Sequence, residues 1–129
     1  MDLVERWQHS AVDNLEAGKL LYNDGRHRAA VSRFYYAAYQ AATAICLRHG
    51  DEGQFPQGWN NPSHDQLPDL IRNNGDLTRS VRRTVSRLLR VLRHSREDAD
   101  YRMGITVNAV TAQDCLYGVV TVLELLEVI

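Results

Sequence analysis

Apolar side chains recur at helical spacing over most of the chain. From about Leu3 to Tyr22, Trp7, Ala11 and Leu15 keep this spacing up to the turn signal at residues 23–25. A second stretch, about Arg28 to His49, is rich in alanine and tyrosine and ends at Gly50, which is suited to a helix C-cap. Two long helices joined by a short turn are therefore predicted for the first 50 residues.

The second half of the chain is divided by turn residues. Residues 50–62 contain three glycines and two prolines, which predicts a flexible or partner-ordered loop. Ser63 with Gln66 has the pattern of a capping box and predicts the start of a short third helix. A fourth helix follows residues 73–75, and Thr111 with Asp114 predicts the N-cap of a last helix that runs to Ile129.

These patterns predict an all-α protein: an up-and-down bundle of about five helices whose neighbours are antiparallel. The last stretch is rich in β-branched residues, but no second strand-like segment exists to pair with it. A length of 129 residues with 44% apolar and 24% charged residues fits a single domain, residues 1–129. The apolar excess of the last helix also predicts a homodimer.

Arginine is concentrated in the fourth helix. Seven of the fourteen arginines lie between Arg79 and Arg96, and no acidic residue occurs from Leu77 to Ser95, although the net charge is only −1. At about 100° per residue, one face of this helix is basic and the opposite face is apolar. Guanidinium groups bind phosphate or carboxylate with two hydrogen bonds, so we predict a surface for phosphates or an acidic partner, with a merely solvated face as the alternative. The candidate binding residues of this face are Arg82, Arg83 and Arg90.

Composition and missing motifs narrow the chemistry. Cys46 and Cys115 lie in apolar context and the start of the chain does not resemble a signal peptide, which favours a cytoplasmic protein with reduced thiols. The apolar stretch from Cys115 is too short and too charged to span a bilayer, so no membrane association is expected. The sequence has no Gly-rich phosphate loop, no Cys-x-x-Cys and no His-Glu-x-x-His, and we expect neither a cofactor nor a metal.

Three motifs in register carry a family resemblance. Residues 30–37 read A-V-S-R-F-Y-Y-A, residues 64–68 read H-D-Q-L-P, and residues 96–101 read R-E-D-A-D-Y. In this order and with these gaps, the chain resembles HEPN-domain proteins, most closely the small stand-alone bacterial and archaeal branch with an R-x-x-A-D-Y signature. The resemblance implies a helical bundle that commonly dimerises and works with RNA, a nucleotide or a nucleotidyltransferase, as in toxin–antitoxin or defence systems.

Many HEPN proteins are metal-independent ribonucleases whose motif has an arginine and a histidine with four to six residues between them. Arg96 matches that arginine, but Asp100 and Tyr101 stand where the histidine region should be. Arg87 and His94 have a literal match to the spacing, which is expected by chance in a chain with so many arginines. His64 is then the remaining candidate for a general acid or base, with Arg96 stabilising negative charge.

Two hypotheses follow, and the missing histidine ranks them. The first is a non-enzymatic module that binds RNA, a nucleotide or a small nucleotidyltransferase through Arg96, Asp98, Asp100, Tyr101 and Tyr36 together with the basic face. The second is an atypical metal-independent ribonuclease toxin that uses Arg96 and His64. A structural alternative to catalysis is an ion pair between Arg96 and Asp98 or Asp100.

Overall fold

The computed structural model of the chain describes residues 1–129 and contains helices but no strands. It confirms the all-α bundle with five α-helices. Their bounds are α1 (Leu3–Asn23), α2 (His27–His49), α3 (Leu67–Arg72), α4 (Arg79–Tyr101) and α5 (Ala109–Leu125), with one 3₁₀ turn at Asp51–Gln54.

The first two helices begin and end close to the predicted residues. Asp2 caps α1, since its side chain accepts a hydrogen bond from the backbone of Glu5 while Glu5 accepts one in return from the backbone of Asp2. Gly50 ends α2 in the left-handed conformation, with φ of 89°, as the sequence predicted. The turn between α1 and α2 is short enough to make the two helices antiparallel neighbours.

Helix α2 lies at the centre of the bundle and contacts each of the other four α-helices. Six of its seven alanines are fully buried and have no long side chains, so the neighbouring helices approach closely. At Gly18, α1 lies so close to α2 that a Cβ at this position would be only 2.5 Å from Cε1 of Phe34. The fully buried alanines are Ala30, Ala37, Ala38, Ala41, Ala42 and Ala44.

Helix α4 is amphipathic as predicted. Val85, Leu89 and Leu92 are buried against the core, whereas Arg79, Arg83, Arg87 and Arg90 are exposed on the other side. The Thr78 side chain caps the helix by accepting a hydrogen bond from the backbone N–H of Val81. The charge pattern therefore presents one long basic face along the bundle.

The start of the last helix was predicted wrongly. Asn108, not Thr111 or Asp114, is the N-cap, because its side chain accepts the backbone N–H of Thr111 at 3.0 Å. The regular helix also ends at Leu125 rather than Ile129, and Glu127 then takes a positive φ of 59°. Asparagine is a better N-cap than threonine, and Asn108 lies three residues before Thr111, so the helix begins about one turn earlier than predicted.

The segment between α2 and α3 is tied to α2. Phe55 and Pro62 are buried, and the Tyr39 hydroxyl donates to the carbonyl of Pro62 at 2.6 Å and accepts from Asn61 at 2.7 Å. Ser63 and Gln66 exchange the two predicted capping-box hydrogen bonds, while regular helix begins at Leu67. These contacts hold His64 against Tyr35 and Tyr39 of α2.

The apolar residues of α5 are largely covered by the bundle itself. Val119, Val122 and Leu123 are fully buried, so the excess that motivated the dimer prediction does not lie on that part of the surface. None of the helices combines the length and the apolar composition needed to cross a membrane.

Candidate functional site

Arg96 is the centre of a polar cluster near the C-terminal end of α4. The residue is only 9% exposed. Its Nε donates to Oδ2 of Asp100 at 3.0 Å, and its Nη2 donates to the hydroxyls of Tyr36 at 2.8 Å and Tyr101 at 3.2 Å. One guanidinium thereby joins its own helix to α2.

Asp100 is fixed from the other side as well. Its Oδ2 accepts a hydrogen bond from the Ser32 hydroxyl of α2 at 3.1 Å. Arg28, one turn earlier on α2, donates to the carbonyls of Asp98 and Ala99 at 3.0 Å each and to the carbonyl of Ile105. Because the last carbonyls of a helix have no partner within it, Arg28 caps α4 and fixes where the cluster lies.

Aromatic rings surround the Arg96 guanidinium. Its Cζ lies 5.2 Å from the ring centroid of Tyr36, 5.1 Å from that of Tyr101 and 5.8 Å from that of Tyr35. These separations allow cation–π attraction, which is stronger where water is excluded. We call Ser32, Tyr35, Tyr36, His64, Arg96, Asp100 and Tyr101 the Arg96 cluster.

His64 joins this cluster through tyrosine. Its Nδ1 lies 2.6 Å from the Tyr35 hydroxyl, and its ring centroid lies 4.7 Å from that of Tyr39 and 6.2 Å from that of Tyr36. Tyr35 and Tyr36 thus stand between His64 and Arg96. His64 and Arg96 were predicted from the sequence to act as a pair. The fold brings them into one cluster, but no hydrogen bond joins them directly.

The electrostatics favour a charged arginine and a neutral histidine. Burial opposes the charge of Arg96, but Tyr36, Tyr101 and Asp100 outweigh it and raise the pKa of the guanidinium. The pKa of His64 is lowered, first by burial and then by the positive charges of Arg96 and Arg93. Burial also raises the pKa of the Tyr35 hydroxyl, which therefore keeps its proton.

This arrangement limits what His64 can do. A protonated Tyr35 hydroxyl can donate to Nδ1, and a neutral imidazole that accepts at Nδ1 carries its own proton on Nε2. In that tautomer no imidazole nitrogen is free to accept a proton from a substrate. The lowered pKa leaves little imidazolium to act as an acid near neutral pH.

The structure separates the other predicted site residues into two groups. Asp98 pairs with Arg102 at 3.0 Å and lies 3.6 Å from His94, so Asp100 and not Asp98 is the carboxylate on Arg96. Arg82, Arg83 and Arg90 lie on the basic face of α4, away from the Arg96 cluster. Arg90 differs from the other two because its Nη2 lies 2.9 Å from Oδ1 of Asp69 on α3.

Sequence reasoning missed four contributors. Ser32 and Tyr35 were part of the quoted motif but were given no role, and Arg28 carried no motif signal. Arg72, the last residue of α3, lies beside the basic face of α4 and lines concave surfaces together with its arginines. Only the position of Arg72, at the end of a helix that precedes the arginine-rich segment, could have indicated that it contributes to this surface.

A family model of the HEPN domain matches residues 4–129, nearly the whole chain. A search of the curated proteins found no match.

Proposed function

The chain belongs to the HEPN family, and from this premise we propose that it is either a nucleotide- or RNA-associated module or the partner of a small nucleotidyltransferase. We further propose that it serves a toxin–antitoxin or defence-type system and has no conventional catalytic histidine of its own. Its contact region is the C-terminal end of α4, from Arg96 to Tyr101, with the basic face of α4 beside it.

The bonding of Arg96 is the observation that carries this proposal. Its side chain is 11% exposed and already donates hydrogen bonds to Asp100, Tyr36 and Tyr101. An arginine that stabilises a developing negative charge has to direct free N–H groups at the reacting phosphate. Here most of the N–H groups of Arg96 already donate hydrogen bonds to other groups of the protein, which favours a structural role for this residue.

The exposed edge of the cluster supports contact with a base or a partner. Tyr101 is 68% exposed and its ring covers the Arg96 guanidinium. Exposed aromatic rings stack on nucleobases without selecting a sequence, and tyrosine is enriched in protein interfaces. The same ring thus suits either a nucleotide or a nucleotidyltransferase.

A metal-independent ribonuclease is the second candidate function. It is favoured by one observation: His64 and Arg96 share Tyr35 and Tyr36 as neighbours within a single cluster. In this case a conformational change would have to release Nδ1 of His64 from the Tyr35 hydroxyl, or free a guanidinium edge of Arg96, for the substrate.

Arg96→Ala separates the two candidates. For the module we expect the free energy of unfolding to fall by about 2 kcal/mol, because Asp100 and two tyrosine hydroxyls lose their shared donor. Chemical denaturation measures this change. Arg102→Ala is the matched control, since it removes an arginine from the same helix end whose ion pair with Asp98 is half exposed and contributes little.

The second measurement is cleavage of an unstructured RNA by the purified protein in the presence of a chelator. We expect no cleavage by the wild type. Robust cleavage that both Arg96→Ala and His64→Ala abolish at unchanged stability would contradict the module and establish the ribonuclease.

A further inference from the structure

The basic face of α4 divides into a neutralised half and an uncompensated half. Arg90 pairs with Asp69, and Arg93 lies 2.5 Å from Asp65 and 3.0 Å from Glu97. No carboxylate pairs with the arginines toward the start of the helix, which are Arg79, Arg82, Arg83 and Arg87. The acidic residues of α3 and the segment before it thus neutralise only the part of the stripe nearest the Arg96 cluster.

Arg72 adds a fifth unpaired guanidinium from another element. Arg72 is the last residue of α3. Together with Arg79, Arg82 and Arg83 it lines a cleft with a volume of about 340 Å³, which we call the arginine cleft. An adjoining hollow of about 260 Å³ shares Arg72 and Arg83 and continues past Arg87 to Arg90. Four like charges around one cleft repel each other, so the fold keeps them together at some cost in stability.

We propose that the arginine cleft binds the sugar–phosphate backbone of RNA. This inference rests on the proposed function and names the ligand class of its basic face. A second observation points to a missing acceptor: Nε of Arg82 is buried from solvent and has no hydrogen-bond partner. A phosphate group in the cleft would supply the negative charge that balances its guanidinium groups.

The lining favours a nucleic acid over an acidic protein. Protein interfaces have an apolar centre with aromatic or aliphatic anchors, whereas the cleft is lined by arginines alone. Nucleic-acid interfaces are polar and strongly positive. Guanidinium forks bind phosphate with two hydrogen bonds and need no apolar anchor.

The length of the basic face favours a chain of phosphates over a single one. From Arg79 to Arg90 the helix rises about 17 Å, at 1.5 Å per residue. Arg83 and Arg96 are about 20 Å apart along the same axis. A strand that runs from the cleft along α4 would have to span about this distance to meet the exposed ring of Tyr101, which covers the Arg96 guanidinium.

The test compares two pairs of substitutions with equal change in charge. Arg79→Gln with Arg83→Gln removes two exposed cleft arginines that have no ion pair. Arg6→Gln with Arg33→Gln removes two exposed arginines of α1 and α2, also without ion pairs, and serves as the control. Fluorescence anisotropy with a labelled single-stranded RNA measures affinity over a series of chloride concentrations.

We expect wild-type affinity to fall steeply with salt. The cleft pair should bind about tenfold more weakly or worse at low salt and reduce the slope of log K against log salt by about 1.4, which is 0.7 per lost phosphate contact. The control pair should stay near the wild type. The melting temperature of the cleft pair at low salt should equal or exceed that of the wild type, because repulsion is relieved, and this excludes unfolding as the cause.

Several results would overturn the inference. Equal weakening by both pairs would remove the cleft as the site and leave the proposed function standing, since that function is judged by Arg96→Ala. Absence of RNA binding by the wild type at low salt would also remove the cleft as an RNA site, and would leave only the nucleotide and nucleotidyltransferase forms of the proposed function. Displacement of RNA by inorganic phosphate beyond the effect of chloride at matched ionic strength would assign the cleft to a free phosphate group. Equal binding of a polyglutamate peptide would indicate an acidic protein partner.

Discussion

At the scale of single residues, the environment of His64 determines its protonation. Burial and the guanidinium groups of Arg96 and Arg93 lower its pKa, while the carboxylates of Asp65 and Glu97 oppose them less strongly. The native protein therefore holds His64 neutral at pH values where an exposed histidine is partly charged.

The stability of the protein should respond to acid through this residue. The native pKa of His64 lies below its ordinary value of 6.5, so the unfolded chain binds more protons in the interval between the two. Stability that is complete above pH 6.5 is lost as the pH falls through this interval. Chemical denaturation at pH 7.5 and pH 5.5 should show a smaller loss for His64→Gln than for the wild type.

Comparing the wild type with His64→Gln isolates the contribution of His64, because the shifted pKa of His49 affects the stability of both proteins equally. The pKa of the exposed His49 is raised, chiefly by its hydrogen bond to Asp76, and acts with the opposite sign. Identical pH dependence in the wild type and in His64→Gln would contradict the lowered pKa.

At the scale of elements, the contact between α1 and α2 depends on a missing side chain. Gly18 is buried in the middle of α1, where glycine is an unfavourable helix former, so its presence has to be explained by packing. The ring of Phe34 fills the space that a Cβ would occupy. At this point of contact, the close approach of α1 and α2 thus depends on Gly18 and Phe34.

Gly18→Ala should destabilise the protein by about 1–3 kcal/mol, because a methyl group 2.5 Å from a fully buried ring forces the helices apart. Gly118→Ala in α5 is the matched control. Its Cβ would meet Leu92 at an ordinary 3.5 Å, so the better helix propensity of alanine should stabilise by about 0.5–1 kcal/mol. Urea denaturation of both variants measures the difference, and equal effects would contradict the packing argument.

At the scale of the whole molecule, exposed apolar side chains gather at one end of the bundle. They follow the end of α4 and continue along the outer side of α5. Their exposure is 68% for Tyr101, 68% for Met103, 48% for Ile105, 64% for Val110 and 62% for Tyr117. Such groups are candidates for an interface, and they adjoin the Arg96 cluster.

We expect a homodimer that uses this end of the molecule. Light scattering at tens of micromolar protein should give twice the mass of the chain. Val110→Asp should shift the protein toward the monomer, because it introduces a charge among the exposed apolar side chains. Leu20→Asp on α1, where leucine is 72% exposed, should leave the mass unchanged. A wild type of monomer mass would contradict the expectation.

The sequence by itself determined most of the helical architecture. The spacing of apolar residues, the glycine after α2 and the apolar face of α4 are local patterns, and each acts within a few residues along the chain. The start of α5 was predicted one turn late, because both Asn108 and Thr111 are residue types that cap helices and the pair Thr111 and Asp114 resembled a cap. The capping box at Ser63 formed although regular helix began later, at Leu67.

Only the tertiary structure decided which side chains meet. Ser32 and Asp100 are 68 positions apart in the chain, and Tyr36 and Arg96 are 60 apart, so no local pattern could pair them. The same holds for Arg72, which reaches the arginines of α4 because α3 packs against that helix. Asp69 neutralises Arg90 for the same reason, which left the uncompensated charge at the start of α4. Sequence period fixes the face of a helix on which a residue lies, whereas the packing of helices fixes what that face contacts.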